Sequence, residues 1–259
     1  MEFLKSSKRR SFLSELLYIT LNVALAVAVL AVVLAVESPF AAVALVLLSK
    51  WRILAVRPRY WFANVQANLV DIIVSLSIVV LLYAASGAFL AQCAITLLYI
   101  GWLLFIKPRS KRVFVAIQAG TAIFLGVTAL MTLSYDWIAT AVVALMWLIG
   151  YSTARHVFGS YEETHISFYS LIWGLVVAEI GWLAYHWTFA YSLPGVGNIK
   201  LSQTALITIV LSFGAERVYA SYTKHGAIRS NDIILPALLS MSVIVILLLF
   251  FNTIGTGSI

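Results

Sequence analysis

Apolar runs of about twenty residues recur along this 259-residue chain, each closed by a short polar break. They predict helices near 14–36, 39–56, 61–84, 88–106, 113–133, 137–155, 165–190, 201–221 and 233–252. The breaks suit the assignment, because Glu37-Ser38-Pro39, Ser86-Gly87 and Ser134-Tyr135-Asp136 carry residue types that stop helices. The second run is the weakest, since only the stretch from Pro39 to Ser49 is free of charge, which spans about 16 Å at helical rise. Lys50 and Arg52 would then snorkel to the nearer interface, with Trp51 as an aromatic anchor. It is kept as a short crossing, because without it the basic clusters at 5–10 and 57–59 would face opposite sides. The expected fold is therefore an all-α, polytopic integral membrane helical bundle of about nine transmembrane helices.

Charge sets the orientation. Of the 17 Lys and Arg residues, all but Lys200 fall on one side of this pattern. They cluster at Lys5, Lys8, Arg9 and Arg10, at Lys50, Arg52, Arg57 and Arg59, and at Lys107, Arg109, Lys111 and Arg112; Arg155, Arg217, Lys224 and Arg229 follow. Basic residues are retained in the cytoplasm, so the N-terminus is expected inside and the C-terminus outside. The chain reads as one transmembrane domain over 1–259, with a basic cytoplasmic segment at 1–13 and a short external tail at 253–259. A run of this length after the basic start exceeds a signal-peptide core and is read as a retained first helix.

Composition agrees. The chain is 63% hydrophobic and 10% charged, which excludes a soluble globular domain and points to a multi-pass protein of the cell membrane. Its net charge of +7 is answered by anionic lipid headgroups on the cytoplasmic side rather than by nucleic acid. The single cysteine, Cys93, excludes a disulfide framework and a cysteine-based metal site.

The candidate chemistry lies in polar stripes. Asn64, Asn68, Asp71 and Ser75 share one face of the third helix, and Gln118, Thr121, Thr128 and Thr132 share one on the fifth. His165, Glu179 and His186 repeat on the seventh, and Thr204, Thr208, Ser212 and Glu216 on the eighth. Hydroxyl stripes are expected to join helices by interhelical hydrogen bonds. Ionisable groups at membrane depth instead suggest a polar intramembrane path through Asp71, Glu179, Asn64, Asn68, Gln118 and His186. Asp71 lies roughly 15 Å into its helix and Glu179 roughly 21 Å into its own. With no Lys or Arg expected at matching depth, each is read as a neutral, hydrogen-bonded acid. A second cluster, His156, Glu162, Glu163 and His165, is placed in the loop between the sixth and seventh helices, without an established metal-ligand spacing.

No His-Glu-x-x-His, Gly-rich phosphate loop, pair of Asp-rich motifs or Gly-x-Ser-Gly is present, so neither a cofactor nor a metal is expected. The leading expectation is a small transporter, channel or transport-complex subunit without enzymatic activity. The alternatives are an assembly subunit, with another membrane protein or a further copy as partner, and an intramembrane enzyme using the loop cluster.

Overall fold

The computed structural model describes residues 2–186, 190–192 and 198–250; the expected tail at 253–259 and the loop residues 193–197 lie outside them. Nine α-helices form among the described residues. They are α1 (Glu2–Ala35), α2 (Pro39–Ser49), α3 (Trp61–Ala84), α4 (Phe89–Gly101), α5 (Arg112–Leu133), α6 (Ala139–Ser160), α7 (Ile166–His186), α8 (Gln203–His225) and α9 (Ser230–Phe250). The protein is an all-α membrane-type bundle with seven helical spans long and apolar enough to cross a membrane, α4 counting together with the turn that continues it to Ile106. The exceptions are α2, which has 11 residues, and α8, whose length is sufficient but which carries Glu216, Arg217 and Lys224.

Several boundaries differ from expectation, and the helix expected near 14–36 begins at Glu2, so that the expected 1–13 segment, from Glu2 on, is part of α1. α2 stops at Ser49 instead of running to 56, and the chain continues through short 3-10 turns. α6 continues to Ser160, so His156 belongs to a helix and not to a loop; the turn comes only at Glu162, whose φ of 56° breaks the helical path. The described part of α7 ends at His186, and a two-stranded antiparallel sheet follows, Ala190–Ser192 against Lys200–Ser202.

Hydrogen bonds set the helix directions. The Tyr83 hydroxyl, at the end of α3, donates to the carbonyls of Val36 and Ser38, each at 2.9 Å. The end of α3 therefore meets the α1–α2 turn, and α2 runs antiparallel to both. At the opposite end Arg112 donates to the Ser160 carbonyl at 3.2 Å, joining the start of α5 to the end of α6. The basic clusters gather at this second end, called the basic end below.

One core cluster lies among α1–α4, around Val29, Val74, Tyr99 and Leu103. A second lies among α5–α8, around Val127, Met146 and Val177. α5 separates the two, packing on α3, α6 and α8. α6 and α7 make the closest pair because glycines line their contact. A Cβ on Gly150 would sit 2.6 Å from Val177 Cβ, and one on Gly181 would sit 2.5 Å from Met146 Cγ. Close backbone approach of this kind maximises dispersion where lipid removes the hydrophobic drive to associate.

Most of the hydroxyl stripes do not join helices. Ser75, Thr121, Thr132 and Ser212 each donate to the carbonyl four residues back on their own helix. Without water, the nearest available acceptor is the helix's own backbone. Interhelical bonds fall to longer side chains, such as Gln203 to the Leu247 carbonyl at 2.6 Å and Gln66 to the Tyr151 hydroxyl at 3.0 Å.

Candidate functional site: a buried ion triplet beside an apolar cavity

Asp71 is an ion-paired carboxylate, contrary to the neutral acid expected from the sequence. Lys50 and Lys107 both donate to its Oδ2, Lys107 at 2.9 Å. The side chains of Lys50 and Asp71 are 9% and 12% exposed, so their pair is shielded from solvent, whereas Lys107 is 33% exposed. The missed partner follows from the early end of α2. Lys50 stands twelve residues after Ser38, and Asp71 twelve before Tyr83, about 18 Å in each case. Since Tyr83 binds Ser38, the two side chains reach the same depth. Lys50 therefore remains inside the bundle and does not snorkel outwards.

Neighbouring polar residues hold this geometry. The carbonyls of the irregular stretch after Lys50 need donors, because unpaired backbone groups are costly away from water. Asn64 donates to Ile53 at 2.6 Å, and the Trp61 indole lies 3.0 Å from both the Leu54 and Val56 carbonyls. Asn68 bonds back to the Asn64 carbonyl at 2.8 Å. On the other side, α4 ends in a π-helical turn over Trp102–Ile106, closed by a 2.9 Å bond from the Lys107 N–H to the Trp102 carbonyl. The Gln118 amide donates to the carbonyls of Ile106, Lys107 and Arg109 at 2.7, 3.3 and 2.9 Å. These are the carbonyls that a helix C-terminus leaves open. His156 Nε2 lies 2.6 Å from Gln118 Oε1, which only accepts, so the imidazole carries a proton on that nitrogen. Asn64, Asn68, Asp71, Gln118 and His156 thus belong to one connected region towards the basic end.

The triplet carries two ammonium groups against one carboxylate. Both bind Oδ2, while Oδ1 is buried with no hydrogen-bond partner among the described residues. Just above it, Ser75 donates to the Asp71 carbonyl at 2.7 Å, and Tyr99 donates to Ser75 at 3.1 Å.

The remaining predicted residues lie elsewhere. Glu179 and His186 are on the exposed face of α7 and do not join Asp71 in a common interior. The 3.6-residue period groups residues on a face without saying which face a neighbour covers, and α6 covers the other one. The loop cluster does not converge: His156 faces Gln118, and Glu162 and His165 are exposed. Glu163 instead accepts hydrogen bonds from the Tyr219 hydroxyl and the His165 backbone N–H; these two bonds hold its carboxyl below the usual range. Among the described residues, no three His, Cys, Asp or Glu side chains assemble as a metal site.

A cavity of about 720 Å³ adjoins the triplet, lined by residues of α3 to α8. Along α5 it runs from Val113 to Leu125, roughly 18 Å. Its walls are chiefly apolar, and exposed Leu98, Val113 and Ile117 mark where it opens to the surroundings. Tyr99, whose hydroxyl reaches Ser75 beside Asp71, and Trp102 both line it; the buried indole N–H of Trp102 has no acceptor among the described residues. At the basic end the lining turns polar, with Glu216, Arg217 and Tyr219. There Tyr161 donates to Glu216 at 2.8 Å, Arg217 pairs with Glu216 at 3.2 Å, and Arg112 lies 4.7 Å from the Tyr161 ring centre. Burial, and then the bond to Glu216, push the Tyr161 hydroxyl up to about 12. From the sequence Lys50 and Lys107 are read only as charges that set the topology, and Tyr99 and Trp102 are not singled out; the charge of Lys50, eleven residues after Pro39, was the available signal for the first.

Fold and site together define a multi-pass, all-α membrane protein with a buried ion triplet beside an apolar cavity. No protein-family model, curated protein or solved structure matches the chain.

Proposed function

We propose that the protein is a cell-membrane transporter or transport-complex subunit that binds a lipid-like amphiphile in the cavity, with the basic end in the cytoplasm. The carrying observation is the cavity itself. Its volume of about 720 Å³ and its apolar walls with a few polar groups at one end match the usual form of a small-molecule site. Its length of roughly 18 Å is close to one leaflet of a hydrocarbon core about 30 Å thick. Chain and head would then be sorted by the walls: apolar chain along α5, polar head at Arg217, Glu216 and Tyr219. Arg217 is half exposed, so its guanidinium can meet a phosphate without losing all hydration.

The test is to fill the cavity. Ala116→Phe with Gly120→Leu projects bulk from α5 into the lining. A fluorescent phospholipid in mixed micelles should bind delipidated wild-type protein and be lost from the filled variant, with thermal stability retained. Equal binding by both would overturn the reading.

A second reading concerns ion coupling. The unequal charges of the triplet, two ammonium groups on one carboxylate with Lys50 enclosed, support proton exchange within it, with Asn64, Asn68 and Gln118 holding its surroundings. Proteoliposomes enclosing a pH-sensitive dye would show a proton flux that Asp71→Asn removes; no flux with wild-type protein would end this reading.

A further inference from the structure

We infer that the amphiphile held by the cavity ends in a phosphate monoester, and that Arg112 and Arg217 grip this head together at the basic end. The inference rests on the reading of the cavity as an amphiphile site and names the head that the site selects.

Arg217 lines the cavity, and Arg112 directly precedes Val113, where the lining on α5 begins. A single run of contacts joins the two arginines. The Arg112 guanidinium lies 4.7 Å from the Tyr161 ring centre, the Tyr161 hydroxyl donates to one oxygen of Glu216 at 2.8 Å, and Arg217 pairs with the other at 3.2 Å. Both are anchored in the same way, through Nε and an aromatic ring. Arg112 Nε donates to the Ser160 carbonyl at 3.2 Å, while Arg217 Nε faces Glu216 and its guanidinium lies 5.2 Å from the Phe213 ring centre. Arg155, by contrast, uses a terminal nitrogen to bind Ser167.

A guanidinium held through Nε and stacked on a ring keeps its plane fixed and its end, the two terminal nitrogens, open. No hydrogen bond from those nitrogens of Arg112 or Arg217 is found among the described residues, and both residues are exposed. Glu216 is committed at both oxygens, so it fixes the Arg217 fork without closing its end. Two open forks decide the head by the acceptors they require. A carboxylate or a phosphodiester has two unbridged oxygens, which one fork fills. A terminal phosphate has three, with about −1.5 to −2 charge at neutral pH, and can turn one edge to each fork by sharing an oxygen between them. Its chain then enters the cavity along α5 from Val113 onwards.

The experiment uses the full-length chain, delipidated in mixed micelles, with a diacylglycerol carrying a fluorophore at one chain end as the probe. Unlabelled dioleoyl phosphatidic acid, dioleoyl phosphatidylglycerol and dioleoylglycerol compete for the cavity; they share their chains and differ in the head. Phosphatidic acid should displace the probe at a concentration about tenfold below phosphatidylglycerol, the factor that one charge-assisted hydrogen bond carries. Arg112→Lys and Arg217→Lys keep the charge and lose the fork. Each should bring these two competitors together, while dioleoylglycerol competes as before and reports an intact fold. Arg59→Lys, exposed and outside the cavity lining, should keep the preference. Equal displacement by phosphatidic acid and phosphatidylglycerol on wild-type protein would overturn the inference and leave the cavity reading standing. A preference that both lysine variants retain would do the same. No binding of the probe to wild-type protein would end the cavity reading, and this inference with it.

Discussion

Removing Asp71 should cost far more than removing either lysine that binds it. The triplet places two ammonium groups on one carboxylate, with Lys50 and Asp71 only 9% and 12% exposed. Asp71→Asn keeps the size of the side chain and leaves two positive charges facing each other, one of them enclosed. Breaking a buried pair by removing one partner costs about 3–5 kcal/mol, chiefly because the other charge stays desolvated. Lys50→Met is different in kind. It leaves Asp71 with Lys107 at 2.9 Å, a balanced pair, and replaces an enclosed ammonium by an apolar chain of similar length. Its cost should be about 1 kcal/mol or less, since replacing buried charge by well-packed apolar groups is often neutral. Lys107→Met should likewise be mild, because Lys107 is a third exposed and Lys50 remains to pair with Asp71. Equilibrium unfolding in mixed micelles would measure all three variants, and the double variant Lys50→Met with Asp71→Asn closes the cycle. In that double variant Lys107 alone remains, a third exposed, so much of the loss should be recovered. A cost for Asp71→Asn below about 1 kcal/mol, or an equal cost for Lys50→Met, would refute the electrostatic argument.

The α6–α7 contact predicts a contrast between two glycines. Gly150→Ala should destabilise by about 1–3 kcal/mol, because its Cβ meets the stiff Val177 at 2.6 Å, whereas Gly159→Ala meets nothing within 4 Å and should be near neutral; thermal unfolding in detergent measures both. Gln118→Leu should cost about 1–3 kcal/mol by leaving carbonyls at the end of α4 without a donor, and hydrogen exchange should rise first around 106–109. Glu163 is held below its usual value, so its bond to Tyr219 contributes above the unfolded value and is lost as pH falls through the lower folded one. Limited proteolysis of the 161–165 turn should therefore increase in acid, and Tyr219→Phe should remove that pH dependence. A cysteine at Ser258, in a Cys93→Ala background, should be labelled by an impermeant thiol reagent from outside intact cells; labelling only after lysis would reverse the orientation or remove a crossing.

What the sequence determined by itself was the set of apolar helices and the gathering of basic residues at one end of them. Both are local or additive: helix length follows from uninterrupted apolar runs, and side preference follows from where Lys and Arg stand between those runs. The same reading found Asp71, Asn64, Asn68 and Gln118, because polar side chains are conspicuous in an apolar helix. It placed Glu179 with them, and there the inference failed. In water, an apolar stripe marks the buried side of a helix; in lipid, the outer and inner faces are both apolar, so hydropathy loses its power to orient. Only packing decided that α6 takes the glycine side of α7 and leaves Glu179 outside. Packing also decided the ions. Lys50, Asp71 and Lys107 come from three segments, and their convergence depends on α2 ending at Ser49 and on α4 closing in a π turn. Those endings are set by side chains of the next helix, Asn64 and Trp61 for the stretch after α2 and Gln118 for the end of α4, which lie 11, 7 and 12 residues from the backbone they satisfy.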